Sequence, residues 1–387
     1  MDPWAGRPGA RGSGPADGRE KAMLVSALLM TGFPGFLGSA LLPRLLARRE
    51  GSRAVCLVQP QHLPTARGRV RELEAGHPHV SGRVELVEGD ISAPGLGLAP
   101  AVRTTLDDVT EVWHLAAVYD LTVEQATARR VNIDGTARVL DLCRSLPDLS
   151  RLQHVSTCYV SGRFDGEFTE EMLDEGQSFL NHYESTKFEA ELLVRKAMAD
   201  GMPATVYRPG IVVGDSRTGE TQKYDGPYFL ASFLRRQPRV AVVPAVGDAD
   251  RVRISLVPRD FVISAMDELS VLDDSAGRTF ALTDAQPPTV RQLVDTFAGH
   301  LGKRVVWARL PLGLTRTVLG SVPGLEGLLG IPAEGLDYFA SGTTYSTANT
   351  VAALAATGLA CPPFASYAGT LLDFMIAHPE FDSAAMV

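Results

Sequence analysis

Between residue 23 and about residue 210, short apolar runs alternate with segments of helical spacing. "AMLVSALLM" is apolar at nearly every position, as in a parallel strand covered on both faces. Further strands are predicted at "SRAVCLVQ", "RVELVEGDI", "VTEVWHLAA" and "RLQHVSTCYV", and "PATVYRPGIV" closes the series. Between them, "FLGSALLPRLLARRE", "ATARRVNIDGTARVLDLCRSL" and the segment from "HYESTK" through "EAELLVRKAMADG" have the pattern of helices. Pro43 lies inside the first helix, where it removes a hydrogen bond and predicts a kink. Strands and helices in alternation imply an α/β fold, a doubly wound parallel sheet with helices on both faces.

Beyond residue 210 the texture changes. "GDSRTGETQKYDGPYF" is polar and turn-rich and reads as a loop, and short elements follow it. Then comes a glycine- and leucine-rich stretch, "LPLGLTRTVLGSVPGLEGLLGIPAEGL". The chain thus divides into a tail over 1–22, a first domain over 23–210 and a smaller region over 211–387, part of which is expected to return to the sheet. The tail is rich in Gly, Pro and Arg and is expected to be disordered. Arginines and Lys21 before "AMLVSALLM" imitate a secretory leader, but the run is too short to cross a membrane and a glycine-rich turn follows it. No integral membrane segment is expected.

A hydrophobic fraction of 45% and a charged fraction of 21% are those of a soluble globular protein. A net charge of −8 argues against nucleic acid as a partner. Cys56, Cys143, Cys158 and Cys361 are scattered without a C-x-x-C, so neither a disulfide framework nor a metal site is expected, and a reducing cytoplasm fits.

The candidate chemistry lies at the ends of the predicted strands. "MTGFPGFLG" sets Gly32, Gly35 and Gly38 between the first strand and the first helix. A tight turn there lets the backbone approach a pyrophosphate, with free N–H groups at the helix start. Asp90 in "GDI" can accept from an adenine amino group, or serve as a helix cap or turn residue. The small residues of "HLAA" leave room for a cofactor against the backbone, while His114 reads equally as a core histidine. Ser156 and Thr157 end the fifth strand. Tyr183 and Lys187 are four residues apart and share one face of the next helix. The chain has only five lysines, so the pairing carries some weight.

In this order, "TGFPGFLG", "GDI", "HLAA", "VNIDGT", "HVST", "YESTK" and "YRPG" resemble an extended short-chain dehydrogenase/reductase. "TGFPGFLGSALLPRLL", "HVSTCYVSG" and the late "CPPF" are most similar to the branch of fatty acyl-CoA and carrier-thioester reductases. The resemblance implies a Rossmann-type sheet over 23–210 and substrate binding by 211–387. It implies Tyr183 as the general acid, and Lys187 both lowering the tyrosine pKa and holding the nicotinamide ribose. Thr157 would donate to the substrate oxygen, Asn132 would brace the site, and Ser156 stays structural. Asn132 also reads as a helix or turn cap. Cofactor contacts are implied at Gly32, Phe33, Gly35, Phe36, Leu37, Gly38, Gln59, Asp90, Ile91, Ala116, Ala117, Tyr183, Lys187 and Pro209.

The expected reaction is hydride transfer to a carbonyl, with an acyl thioester or aldehyde as substrate and a carrier protein as a candidate partner. The second strand ends "CLVQPQH", without the acid that binds a ribose 2′-hydroxyl in NAD sites. NADPH is therefore expected, with NADH left open because Gln59 stands where related reductases often carry arginine. Arg67, Arg69 and Arg71 could supply that charge, but read more readily as a solvated helix face.

Rival readings are a hydroxysteroid-type dehydrogenase, a nucleotide-sugar epimerase and a non-catalytic cofactor sensor. An epimerase would need basic residues for a diphosphate, and Arg235, Arg236, Arg251, Arg253 and Arg259 are available. The leucine-rich stretch favours a greasy substrate instead. The sensor would not need Thr157, Tyr183 and Lys187 together. Oligomeric state stays open.

Overall fold

The computed structural model describes residues 26–119, 123–245, 248–309 and 341–381. The predicted tail, the start of the first predicted strand and the leucine-rich stretch from Leu310 lie outside the described residues. Seven parallel strands form the central sheet: β1 (Ala27–Thr31), β2 (Arg53–Val58), β3 (Val84–Glu88), β4 (Val109–His114), β5 (Arg151–Val155), β7 (Ala204–Pro209) and β11 (Thr279–Leu282). Their order is β11-β7-β5-β4-β1-β2-β3. The order reverses direction between β1 and β4, and such a switch point opens a crevice at the carboxyl ends of the strands. β11 comes from the C-terminal region and pairs with β7, Thr279 opposite Val206.

Alternate residues of β1 explain its unbroken apolar run. Leu28 and Met30 pack with Leu41, Leu42, Leu45 and Leu46 of helix α1 (Phe36–Arg48) and with Phe261 and Met266 of a helix at Arg259–Ser270. Ala27 and Leu29 face the other way, against Val139, Leu140 and Cys143 of one helix and Val194 and Ala197 of another. Both faces of the strand are therefore dry, and each fully buried leucine contributes roughly 1.5–3 kcal/mol. Pro43 lies inside α1 without ending it, its carbonyl taken by the His79 ring at 2.9 Å.

Two predicted elements differ in detail. "PATVYRPGIV" is not one strand: β7 ends at Pro209, and β8 (Ile211–Val213) pairs with β10 (Leu256–Pro258) instead. Gly210 is the point of transfer. Its N–H donates to Leu282 O at 3.2 Å, the next N–H donates to Ser255 O at 2.8 Å, and a Cβ on Gly210 would collide with that Ser255 carbonyl. The long predicted helix is continuous but widened. Gln125–Ala128 and Gly135–Ser145 are α-helical, and Arg129–Asp134 between them makes π-type turns.

A second core joins β8, the helix Pro227–Arg236, β9 (Val240–Ala245), β10, the helix Val290–His300 and the helix Phe364–Ala377. β9 pairs in parallel with β12 (Arg304–Arg309). Ile211 and Val212 of β8, with Thr221, Lys223 and Asp225 of the loop after it, line the crevice beside Pro209.

Candidate active site

The turn after β1 is shaped by what its glycines lack. Gly32 has φ +89°, and a Cβ there would come within 2.8 Å of Ala116 N. Gly35 and Gly38 pack on the Gly32 carbonyl oxygen, which an added Cβ would meet at 2.8 and 2.6 Å. The first turn of α1 has no side-chain cap. Its N–H groups are thus open to an anion at the positive end of the helix dipole.

A cavity of about 640 Å³ opens over the carboxyl ends of the strands. Gly32, Phe33, Gly35, Phe36, Leu37 and Gly38 form its floor beside Gln59, Asp90 and Ile91. Ala116, Ala117 and Pro209 line it too, together with Thr157, Tyr183 and Lys187. Every expected cofactor contact is on this wall. The donor set fits a dinucleotide: an uncapped helix start for phosphate, an ionised aspartate at the adenine end and a buried ammonium at the other. Burial pushes the Asp90 carboxyl up, but hydrogen bonds from Ser92 and Gln59, with Arg130 nearby, hold it below the ordinary range.

Asn132 stands behind the wall rather than on it. Its Oδ1 accepts from Val118 N at 2.9 Å, and its Nδ2 donates to Thr186 Oγ1 at 3.0 Å. It therefore ties the segment after β4 to the helix that carries Tyr183, and does not cap its own helix. His114 is the satisfied core histidine. Its Nδ1 lies 2.8 Å from Thr31 Oγ1 and its Nε2 lies 3.0 Å from Thr136 Oγ1. Thr136 donates onward to Asn132 O at 2.6 Å, so Nε2 must carry the ring proton and Nδ1 must accept from Thr31. Burial, helped by Lys187, draws the ring down to about 3 and keeps it neutral.

The helix His182–Ala199 starts at Asn181, whose side chain accepts from Glu184 N at 3.0 Å. Tyr183 and Lys187 sit one turn apart and are 7% and 3% exposed. Lys187 Nζ donates to Val155 O, the end of β5, at 2.8 Å. Thr157 follows on the same strand end, where its hydroxyl donates to Pro209 O at 3.4 Å and accepts from Tyr159 N at 3.3 Å. Ser156 Oγ donates to Glu191 at 2.6 Å and is structural, as expected. One expectation is overturned. Lys187 does not draw the Tyr183 phenol down; burial pushes it well above 10, with the Thr157 hydrogen bond opposing. Burial also lowers Lys187 to about 8, against the pull of Glu191.

Sequence reasoning missed part of the wall. Tyr119, Tyr159, Lys223 and Asp225 all line the cavity. Lys223 and Asp225 lie in the loop "GDSRTGETQKYDGPYF", which has no periodicity to place its side chains. Among five lysines, one beside an aspartate in a loop was the available signal.

Fold and site together define an NAD(P)-binding protein of the Rossmann type. The male sterility protein family, an NAD-binding family, matches residues 30–266, more than half of the chain, and the chain belongs to this family. It is 28% identical over 283 residues to the glycine betaine reductase ATRR of Emericella nidulans, covering 69% of this chain and 22% of the relative. It is 26% identical over 274 residues to the fatty acyl-CoA reductase wat of Drosophila melanogaster, covering 62% and 53%. The chain thus spans about half or less of these relatives' length. Among solved structures, the terminal R domain from the myxalamid PKS-NRPS biosynthetic pathway matches with a TM-score of 0.78 at 28% identity, covering 92% of this chain and 91% of that one. Among the described residues, no helix is long and apolar enough to cross a membrane.

Proposed function

We propose that the chain reduces an acyl thioester to an aldehyde with NADPH, and that the thioester is presented on a carrier protein or on coenzyme A. The observation that carries this reading is the meeting of Thr157, Tyr183 and Lys187 on one cavity wall with the glycine cradle. The near end-to-end likeness to a terminal R domain supports a thioester over other carbonyls. The arginines that an epimerase would use do not line the cavity. Arg259 packs over Phe36 and pairs with Glu220 at 3.4 Å, and Arg253 donates to a backbone carbonyl.

A reduced nicotinamide would supply the hydride. Gly32, Gly35 and Gly38 with the start of α1 would hold its phosphates, Asp90 its adenine and Lys187 its ribose. Thr157 donates to the substrate carbonyl oxygen and sets it beside the Tyr183 phenol. Burial keeps the Tyr183 phenol protonated, so a proton is present beside the oxygen on which negative charge develops. The product of this step is a hemithioacetal. Its collapse breaks the carbon–sulfur bond, releases a thiol and leaves the aldehyde. Coenzyme choice rests on Gln59, whose Oε1 accepts from Gln61 Nε2 at 2.8 Å on a strand end without an acid.

The test follows NADPH absorbance with a long-chain acyl-CoA, an acyl phosphopantetheine thioester, an aldehyde, a ketosteroid and a nucleotide sugar. Consumption with the thioesters, with free thiol released in step, is the expected result. Consumption with the steroid or the sugar alone contradicts the proposal.

A further inference from the structure

The cavity wall beside Tyr183 carries a group of side chains that the chemistry above does not use. The Tyr119 ring stands at 84° to the Tyr183 ring, with centroids 5.0 Å apart. The Lys223 ammonium lies 4.3 Å from the centre of the Tyr119 ring. Asp225 pairs with that ammonium at 2.5 Å. All four line the cavity. The loop that bears the ion pair is tied down between them. Tyr224 packs against Phe381 and Tyr228, and its hydroxyl donates to His378 O at 2.8 Å. Thr221 Oγ1 donates to Lys223 O at 3.2 Å.

We propose that Lys223, held by Asp225, clamps Tyr119 against Tyr183 and so fixes the angle at which the Tyr183 phenol meets the substrate. Tyr119 and Lys223 are positioning residues, and the proposal rests on Tyr183 being the proton donor. Tyr183 lines the cavity, and Tyr119 is the aromatic neighbour of its ring there. A perpendicular aromatic neighbour limits rotation of that ring, because the positive edge of one ring attracts the negative face of the other. A cation over the face of Tyr119 holds that neighbour in turn. Asp225 keeps the ammonium on the ring instead of in solvent. The clamp needs the Tyr119 ring but not its hydroxyl, and the Lys223 charge but not its shape.

Four variants of the full chain test this: Tyr119→Phe, Tyr119→Leu, Lys223→Arg and Lys223→Met. For each, kcat and KM for the acyl thioester are measured beside NADPH Kd by fluorescence titration. Misplacing a proton donor slightly costs roughly tenfold or more in rate. Tyr119→Leu and Lys223→Met should therefore lose about that much kcat with KM and coenzyme Kd nearly unchanged. Tyr119→Phe and Lys223→Arg should keep most of kcat. Full kcat in the Leu and Met variants overturns the clamp, as does an equal loss in Tyr119→Phe and Tyr119→Leu. A loss that appears only in KM or coenzyme Kd also overturns it. Tyr183→Phe is measured alongside. If it keeps turnover, the role of Tyr183 falls; if it is dead while the four variants are normal, only the clamp falls.

Discussion

Burial draws the Lys187 ammonium down to about 8, with Glu191 one turn on opposing the shift. A lysine whose folded pKa lies below its unfolded value near 10.5 binds fewer protons folded than unfolded between those two limits. Stability from this group therefore rises as pH climbs from about 8 to about 10.5, and the full penalty applies below 8. At neutral pH the penalty is about 3 kcal/mol. Lys187→Met should then keep or raise Tm at pH 7 while weakening NADPH binding, since its ammonium is proposed to hold the ribose. A large fall in Tm would show that the Val155 hydrogen bond outweighs the burial of charge. Gln59 gives a second prediction. Gln59→Arg should widen the NADPH over NADH ratio in kcat/KM, because a guanidinium pairs with a 2′-phosphate; an unchanged ratio would place that phosphate elsewhere. The Tyr183–Lys187 pair was legible in the sequence because a spacing of four fixes a shared face whatever the surroundings. The direction of the tyrosine pKa was not, because it depends on how much water the fold removes.

The helix His182–Ala199 is fixed to the sheet by a buried ion pair. Arg208 of β7 donates to Glu191 at 2.7 Å, and the two side chains are 2% and 0% exposed. Arg208 also donates to Met172 O at 2.7 Å, and Arg195 reaches Glu191 at 3.0 Å. Burial pushes the Glu191 carboxyl up, but the two arginines and Ser156 overcome that and hold it below the ordinary range. Its contribution is present above its unfolded pKa and is lost as pH falls through the folded one. Arg208→Met leaves the carboxylate with less compensation and should cost about 3–5 kcal/mol in denaturant unfolding at pH 7. A change under about 1 kcal/mol would mean that Arg195 alone suffices. The elements themselves were largely legible, since a continuous apolar run and a three-to-four spacing each specify one geometry. The π-type turns around Asn132 and the transfer at Gly210 were not. Both depend on contacts with Thr186 and Ser255, distant in the chain, and local periodicity does not encode them.

At the scale of the molecule, a parallel sheet brings six strand ends to one crevice, and β8 with the loop after it lines its side. Motifs spread from Gly32 to Pro209 thereby become neighbours around one cavity. Strand-end positions pointed to that convergence, and the resemblance to the short-chain reductases implied which residues take part in it. The substrate side was not, because Lys223 and Asp225 enter from a loop whose path the C-terminal helix dictates. The leucine-rich stretch expected to favour a greasy substrate lies outside the described residues. Single-turnover reduction of an acyl thioester by Tyr183→Phe, with NADPH Kd determined on the same preparation, tests whether Tyr183 gives the proton while the rest of the cavity holds the coenzyme. A rate loss of about 10²–10⁴ with Kd unchanged is expected. A near-normal rate in a variant that still binds NADPH would contradict it.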